Sequence, residues 1–394
     1  MILLVALQIL FWLSVFLFVY SYALYPVLLS VFASAFGKPA ASNDSFRPRV
    51  AVIVPVFNEE SVIRKKIENI LSLDYPKDKL DVWIGSDCST DATNDLVRQV
   101  GDPRVHLWVA SARGGKTEVI NKLAPHIQAD VLMFTDANTM HRPDSLATMV
   151  RHYADPTIGG VAGHIEHVFL RKEIEEVVYR SFESNQKVHE SLLHSTISAY
   201  GGFYSVRKEL FRPIQYNAYS NDDVLIPMNV IRTGHRIIFD SDAVSEEDNT
   251  ENLKHEFSRR VRIGAGNFQA FFWLLDFLSP RRGWPWFCYI SHKASRWFSP
   301  FFIMLGALSC GTLAFCGGPL LYTILFCAAL FIVAVALSYR LFPLSAIRPL
   351  HYFLLMNAAL FVGFFRYMSG IRSAAWSRTE RGSGSVGAHT GPKS

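Results

Sequence analysis

The sequence lacks most of the features that would place it among disulfide-rich, zinc-binding or nucleic-acid-binding chains. Its five cysteines, Cys88, Cys288, Cys310, Cys316 and Cys327, show no paired spacing, and three lie in apolar runs, which excludes a disulfide or zinc framework. Charge is scarce, at 19% of 394 residues with a net of +5, and Lys and Arg are not gathered into a long basic helix. No nucleic acid is therefore expected as a partner. The stretch "SARGGKT" ends like a phosphate-binding P-loop, but Ala110 stands where that motif requires glycine. None of the long apolar segments carries an internal acid, which argues against a transporter.

Charge is missing altogether from "MILLVALQILFWLSVFLFVYSYALYPVLLSVFASAFG". A secretory signal would open with basic residues around a core of roughly 7–15 apolar residues, so residues 1–36 are expected to be a retained transmembrane helix. Lys38, Arg47 and Arg49 follow it, and the positive-inside rule then places the next domain in the cytoplasm, on a bacterial-type inner membrane. Residues 298–315, 320–339 and 351–368 are apolar over about the length a bilayer core needs, and form an expected C-terminal membrane region, 298–372. Residues 266–297 mix aromatics with Asp276 and an Arg pair, as a helix lying in the interface does. "SHKASRW" falls where Lys, Arg and Trp anchor membrane helices. Residues 373–394 are Gly- and Ser-rich and expected to be disordered. One span before the domain and three after it would leave the tail outside, yet Arg366, Arg372, Arg378, Arg381 and Lys393 lie there. Charge rule and helix count disagree at this end.

Between the membrane segments, residues 47–265 alternate short β-branched runs, "RVAVIVPVFN", "LDVWIGSD", "VHLWVA" and "ADVLMFTDA", with helix-like stretches such as "EESVIRKKIENILSL". This predicts an α/β fold with a largely parallel sheet, whose ligands bind beyond the carboxyl ends of the strands. The residues following the runs, Asn58 and Glu59, Asp87, Arg113 to Lys116, and Asp136 with Asn138, should converge on one edge. Asp136 and Asn138 share one side of an extended segment, and their oxygens suit a hard divalent cation, Mg²⁺ or Mn²⁺; both residue types also cap turns. "GHIEH" sets His164 and Glu166 on one strand face without a second cluster, and fits surface or acceptor-pocket lining better than a metal site.

The ordered set of motifs resembles the membrane-bound family 2 glycosyltransferases, relatives of cellulose, hyaluronan and poly-N-acetylglucosamine synthases. The opening "VPxxNE" of that family is matched by Val54, Pro55, Asn58 and Glu59. Its "DDxSxD" appears as "SDCSTD", with Asp87 and Asp91 kept and Ser86 in place of the leading Asp. "GGKTEVIN" supplies Lys116, the metal motif D-x-D becomes Asp136-Ala137-Asn138, and "YGGFYSVRKELF" provides Gly201 and Gly202 on the acceptor side. The "TED" element is written "NDD", with Asp222 in the Glu place and Asp223 in the base place, where a like-charged neighbour would raise the pKa of the base. The alternative is that both carboxylates cap the helix that follows. "QxxRW" becomes "RRVRI": Arg259 and Arg262 remain, and Ile263 removes the aromatic platform on which a growing chain stacks.

The resemblance implies a GT-A fold, a Rossmann-like nucleotide-sugar-binding domain, flanked by transmembrane helices. It also implies a nucleotide-sugar donor, UDP by default, held by Pro55, Asn58, Glu59, Asp87, Lys116, Asp136, Arg259 and Arg262. A divalent metal at Asp136 and Asn138 and an inverting transfer with Asp223 as base complete the scheme. Membrane lipids and a lipid-linked saccharide or glycan acceptor, in exopolysaccharide or cell-envelope assembly, are the expected partners. A processive β-glycan synthase and a non-catalytic nucleotide-binding membrane protein are the alternatives.

Overall fold

A computed structural model of the chain describes residues 2–168, 174–215, 217–248 and 253–370. Its centre is an eight-stranded sheet in the order β3-β2-β1-β4-β7-β6-β8-β5. β1 (Val50–Val56) is buried along its whole length, as expected of an unbroken apolar run in a sheet covered on both faces. It pairs in parallel with β2 (Leu80–Ser86) and β4 (Val131–Phe134), and β3 (Val105–Val109) extends that half beyond β2. The second half is mixed: β7 (Tyr204–Arg207) runs antiparallel to both β4 and β6 (Ile158–Val168), and β5 (Thr139–His141) antiparallel to β8 (Arg236–Asp248). β6 and β8 are parallel. The largely parallel sheet expected from the sequence is therefore confined to β1–β4, with the β6–β8 pair.

Side-chain alternation splits the core in two. Val50, Val52, Val54, Val131 and Met133 pack under the helices Ile63–Leu71 and Ser145–Val150. Ala51, Ile53, Leu132 and Phe134 face a second cluster that also contains Tyr25, Leu29, Ala33, Phe277, Tyr289 and Trp297. The sheet domain and the apolar segments that flank it thus share one hydrophobic core.

The N-terminal apolar run is a helix from Ile2 to Phe36, and its last third packs on the helix Ile174–Leu193. At that joint Tyr25 donates to Glu190 Oε1 at 2.8 Å, and His292 Nδ1 lies 2.7 Å from the same oxygen. Residues 266–297 split rather than form one interfacial unit. Their first part ends the helix Leu253–Trp273, and Trp284–Trp297 joins Ser299–Phe315 at a 59° bend, with Tyr289, Ser291 and His292 buried in protein. Ser299–Phe315 and Leu320–Ser338 form an antiparallel hairpin, and Arg348–Met368 follows. By length and composition Ile2–Phe36, Leu320–Ser338 and Arg348–Met368 are each able to cross a membrane, and the bent pair would make a fourth.

Candidate active site

The loops after β1 and β2 are tied to each other at the sheet's carboxyl edge. Asn58 takes a left-handed conformation, φ 55°, and its Oδ1 accepts the N–H of Thr90 at 2.8 Å, while Glu59 N–H donates to Thr93 Oγ1 at 2.8 Å. Pro55 is buried within β1, opposite Gly85. Asp87 is fully buried, and its carboxylate accepts the N–H groups of Gly114 and Gly115 at 2.8 and 3.1 Å. It thereby fixes the glycine loop that starts the helix Lys116–Leu123, where Gly115 adopts φ 90°. Arg113 from this loop stacks over Phe57, 3.5 Å from the ring centroid.

Lys116 draws the remaining elements together. Its Nζ lies 2.9 Å from Asp136 Oδ1, 3.2 Å from Asp222 Oδ2 and 3.0 Å from the Gly201 carbonyl oxygen. Burial by itself would lower its pKa, but Asp136 and Asp222 outweigh that and hold it well above the ordinary lysine value. The segment after β4, the segment before β7 and the helix Asp222–Arg232 therefore meet at one ammonium, carried on the helix that follows β3.

The two acidic residues opening that helix have different surroundings. Asp222 is buried, paired with Lys116, and accepts a hydrogen bond from Tyr204 Oη at 2.9 Å. Asp223 is half-buried, and its backbone carbonyl accepts Ala199 N–H at 2.8 Å. Desolvation, and then the like charge of Asp222, push its carboxyl up to about 6. A Cβ placed on Gly201 would lie 3.7 Å from both Asp223 Oδ2 and Lys116 Nζ, so Gly201 borders the space in front of this carboxylate. Gly202 serves packing instead, since a Cβ there would collide with Thr139 Oγ1 at 2.4 Å, and its lack of a side chain lets β5 approach.

From below, the helix Leu253–Trp273 presents Arg262 to the same edge. Burial lowers its pKa; Tyr219 and Asp136 raise it, and the neighbouring guanidiniums of Arg259 and Arg366 lower it further. Arg366 sits 5.3 Å over the Tyr219 ring. Glu166 pairs with Arg142, while His164 Nδ1 lies 3.3 Å from Ser184 Oγ and its ring stands edge-on to Tyr200, the neighbour of Gly201.

Residues 51–214 match the model of glycosyl transferase family 2. The chain carries a family 2 glycosyltransferase domain. It is 36% identical over 151 residues to a beta-monoglucosyldiacylglycerol synthase of Synechocystis, a match covering 36% of this chain and 32% of that protein. A poly-beta-1,6-N-acetyl-D-glucosamine synthase of Staphylococcus aureus is 23% identical over 249 residues, 61% of this chain and 59% of that one. The chain thus spans about a third and under two thirds of these relatives. The structure superposes on a mannosyltransferase of Pyrobaculum calidifontis, solved with GDP-Man and Mn²⁺, with a TM-score of 0.70 at 24% identity, covering 93% of this chain and 98% of the other. The fold is accordingly GT-A, and the superposition extends beyond the family 2 domain into the apolar helices that flank it.

Three further residues belong to the site's surroundings. Lys66 is fully buried behind the Asp136–Asn138 turn, where its Nζ donates to Thr135 Oγ1 at 2.9 Å and to the Thr139 carbonyl and lies 3.0 Å from His141 Nε2. Burial lowers its pKa to about 7 against the pull of Asp136 and Glu247. The sequence signal was present: Lys66 occupies the apolar face formed by Ile63, Ile67 and Ile70. Glu247, from β8, accepts the Asn138 amide N–H at 2.8 Å and brings a carboxylate beside the position where D-x-D would have its second acid. Lys187, also fully buried, donates to Ser198 O and Oγ, both at 2.8 Å, and so supports the segment that carries Gly201.

This donor set fits a hard divalent ion. Asp136 keeps 39% of its side chain exposed at the open edge, and, two residues on, the Asn138 amide is hydrogen-bonded to the Glu247 carboxylate. Among the described residues no group of three His, Cys, Asp or Glu side chains is arranged for a metal. Such a site suits a cation completed by substrate phosphates rather than one caged by protein alone.

Proposed function

We propose that the protein transfers a sugar, with inversion, from a nucleotide-sugar to a lipid-linked or glycan acceptor at the membrane surface. The observation that carries this reading is the environment of Asp223: a carboxylate with a raised pKa, opening onto the space beside Gly201, 3.7 Å from where a Cβ there would sit. Asp223 takes the proton from the acceptor hydroxyl as that oxygen attacks the anomeric carbon. The bond from that carbon to the diphosphate breaks on the opposite face, and the nucleoside diphosphate leaves with the electron pair. Lys116 and Arg262 stabilise the charge developing on it, with Arg259 alongside. Asp136 and Asn138, with Glu247, would hold a Mg²⁺ or Mn²⁺ ion, which supplies Lewis-acid neutralisation of the diphosphate when bound. Asp87, Pro55, Asn58 and Glu59 act through orientation, by pinning the loops that face the nucleotide.

The names of relatives support a membrane acceptor, since one is a synthase of a glucosyl diacylglycerol and another of a β-linked amino-sugar polymer. Ile263 favours transfer of one or a few sugars over processive synthesis, because no ring stands there to stack a growing chain. The test is nucleotide release by purified protein in detergent across UDP- and GDP-sugars, with Mg²⁺, Mn²⁺ or chelator, beside Asp223→Asn. Metal-dependent release from one donor, lost in the variant, is the expected result. Donor binding without release in the presence of lipid extracts would overturn the assignment as an enzyme.

A further inference from the structure

Arg348–Met368 has the length of a membrane span, but its contacts are those of a helix lying flat. Along one side it runs parallel to Leu253–Trp273: Arg260 donates to Tyr352 Oη at 3.1 Å, Phe268 meets Phe364 at 5.0 Å between ring centroids, and Phe272 stacks on Tyr367 at 5.5 Å. The two helices touch backbone to backbone, since a Cβ on Gly363 would lie 2.8 Å from the backbone of Gly264 and Ala265. Leu253–Trp273 in turn is held to the α/β domain through its last two turns. Asn221 donates to Asn267 at 2.6 Å, Tyr219 N–H to Gln269 at 2.8 Å, and Arg232 to the Trp273 carbonyl at 2.8 Å. A helix that keeps parallel to this one does not dive through a bilayer.

On its other side Arg348–Met368 meets Leu320–Ser338 and Ser299–Phe315 near one end of each, and Ile2–Phe36 near its middle. His351 lies 2.9 Å from the carbonyl of Ala336, near the end of Leu320–Ser338. Phe353 meets Phe18 and Tyr22 of the N-terminal helix, and Asn357 accepts from Ser299 at 2.7 Å. Phe361 and Phe364 pack on Phe301, two residues into Ser299–Phe315, while Leu308 and Phe315 of that helix stay 61% and 82% exposed. Leu320–Ser338, Ser299–Phe315 and Ile2–Phe36 contain no charged residue; this helix carries Arg348 and Arg366.

We infer that Arg348–Met368 docks in the plane of the membrane interface, its partner the headgroup and upper acyl layer of the bilayer. The chain then crosses with Ile2–Phe36, Ser299–Phe315 and Leu320–Ser338, and residue 370 emerges on the catalytic side. Ala358, Val362 and Phe365, spaced four and three apart, form the exposed apolar face turned to lipid. This topology removes the conflict between helix count and charge, because Arg366, Arg372, Arg378, Arg381 and Lys393 join Lys38, Arg47 and Arg49 on one side.

The inference is tested on full-length protein in membranes. Single-cysteine variants retaining either native Cys316, at the hairpin tip, or Ser394→Cys are treated with a membrane-impermeant maleimide. Labelling of Cys316 in intact cells, with the cysteine at 394 reached only after permeabilisation, is the expected result; labelling of both from outside overturns it. A fusion of green fluorescent protein to residue 394 of the unmutated chain, fluorescent if that end is cytoplasmic, covers the case in which cysteine removal harms folding. Nitroxide labels at positions 358, 362 and 365 add a depth measurement. A spanning helix at 1.5 Å per residue would spread them over roughly 10 Å of depth, whereas an in-plane helix holds all three at one shallow level.

Discussion

Two regions of this molecule bury charge, and they do so in opposite ways. At the sheet edge Lys116 serves Asp136 and Asp222 together, and Asp223 beside them remains half-buried with a carboxyl raised to about 6. At the joint between domain and apolar helices, Glu190 is enclosed and saturated: Tyr25 and His292 bond to Oε1, and Ile197 N–H lies 3.3 Å from Oε2. A saturated carboxylate has little left to offer a substrate and serves cohesion. One that is desolvated beside a like charge, and open on one side, is poised to take a proton.

Substitutions separate the two regions. The largest effect is expected from Asp223→Asn, which should reduce turnover by about 10²- to 10⁴-fold, the range for removing a general base, with thermal stability and donor affinity close to wild type. Unchanged turnover would refute the role given to Asp223. Glu190→Ala should act the other way round. It strands the Tyr25 hydroxyl and His292 in a buried site and should cost roughly 3 kcal/mol, read as a lower Tm, with turnover per folded molecule little changed. A large loss of turnover at full stability would dissolve the distinction between the regions.

Smaller effects sharpen it. Gly363→Leu forces apart helices in backbone contact and should cost about 1–3 kcal/mol, as overpacking does. It should also weaken donor binding, because Arg366 and Arg262 face each other across that joint. The pH dependence of kcat/KM gives the finest discrimination. The base proposed at Asp223 would act only when deprotonated, so the rate should rise as pH increases through about 6 and level off above it. An ascending limb near pH 4 would indicate a carboxyl in an ordinary aqueous environment.

The parallel half of the fold was legible in the sequence because β1 and β4 are continuous apolar runs, and β2 and β3 are apolar but for Asp81 and His106 and the Gly85–Ser86 end, each closed by a polar turn. The antiparallel half was not. β8, "RIIFDSDAVSEED", ends in acids that look like a solvated loop until their partners are seen: Glu246 pairs with Arg142, and Glu247 accepts from Asn138. Those partners come from about 100 residues away, and no local pattern announces them. The same holds for Lys187, whose amphipathic helix gave no hint that its ammonium would support Ser198.

By itself, the order of motifs determined the family 2 domain, the strand-end positions of Asp87, Lys116 and Asp136, and the apolar character of the membrane segments, since each depends on residues near in sequence. Only the tertiary structure decided which of Asp222 and Asp223 is paired, that Glu247 and Lys66 flank the Asp136–Asn138 turn, and how Arg348–Met368 sits against Leu253–Trp273. Pairing, desolvation and the direction of a helix are set by groups far apart in the chain, and they acquire values only once the chain has brought those groups into contact.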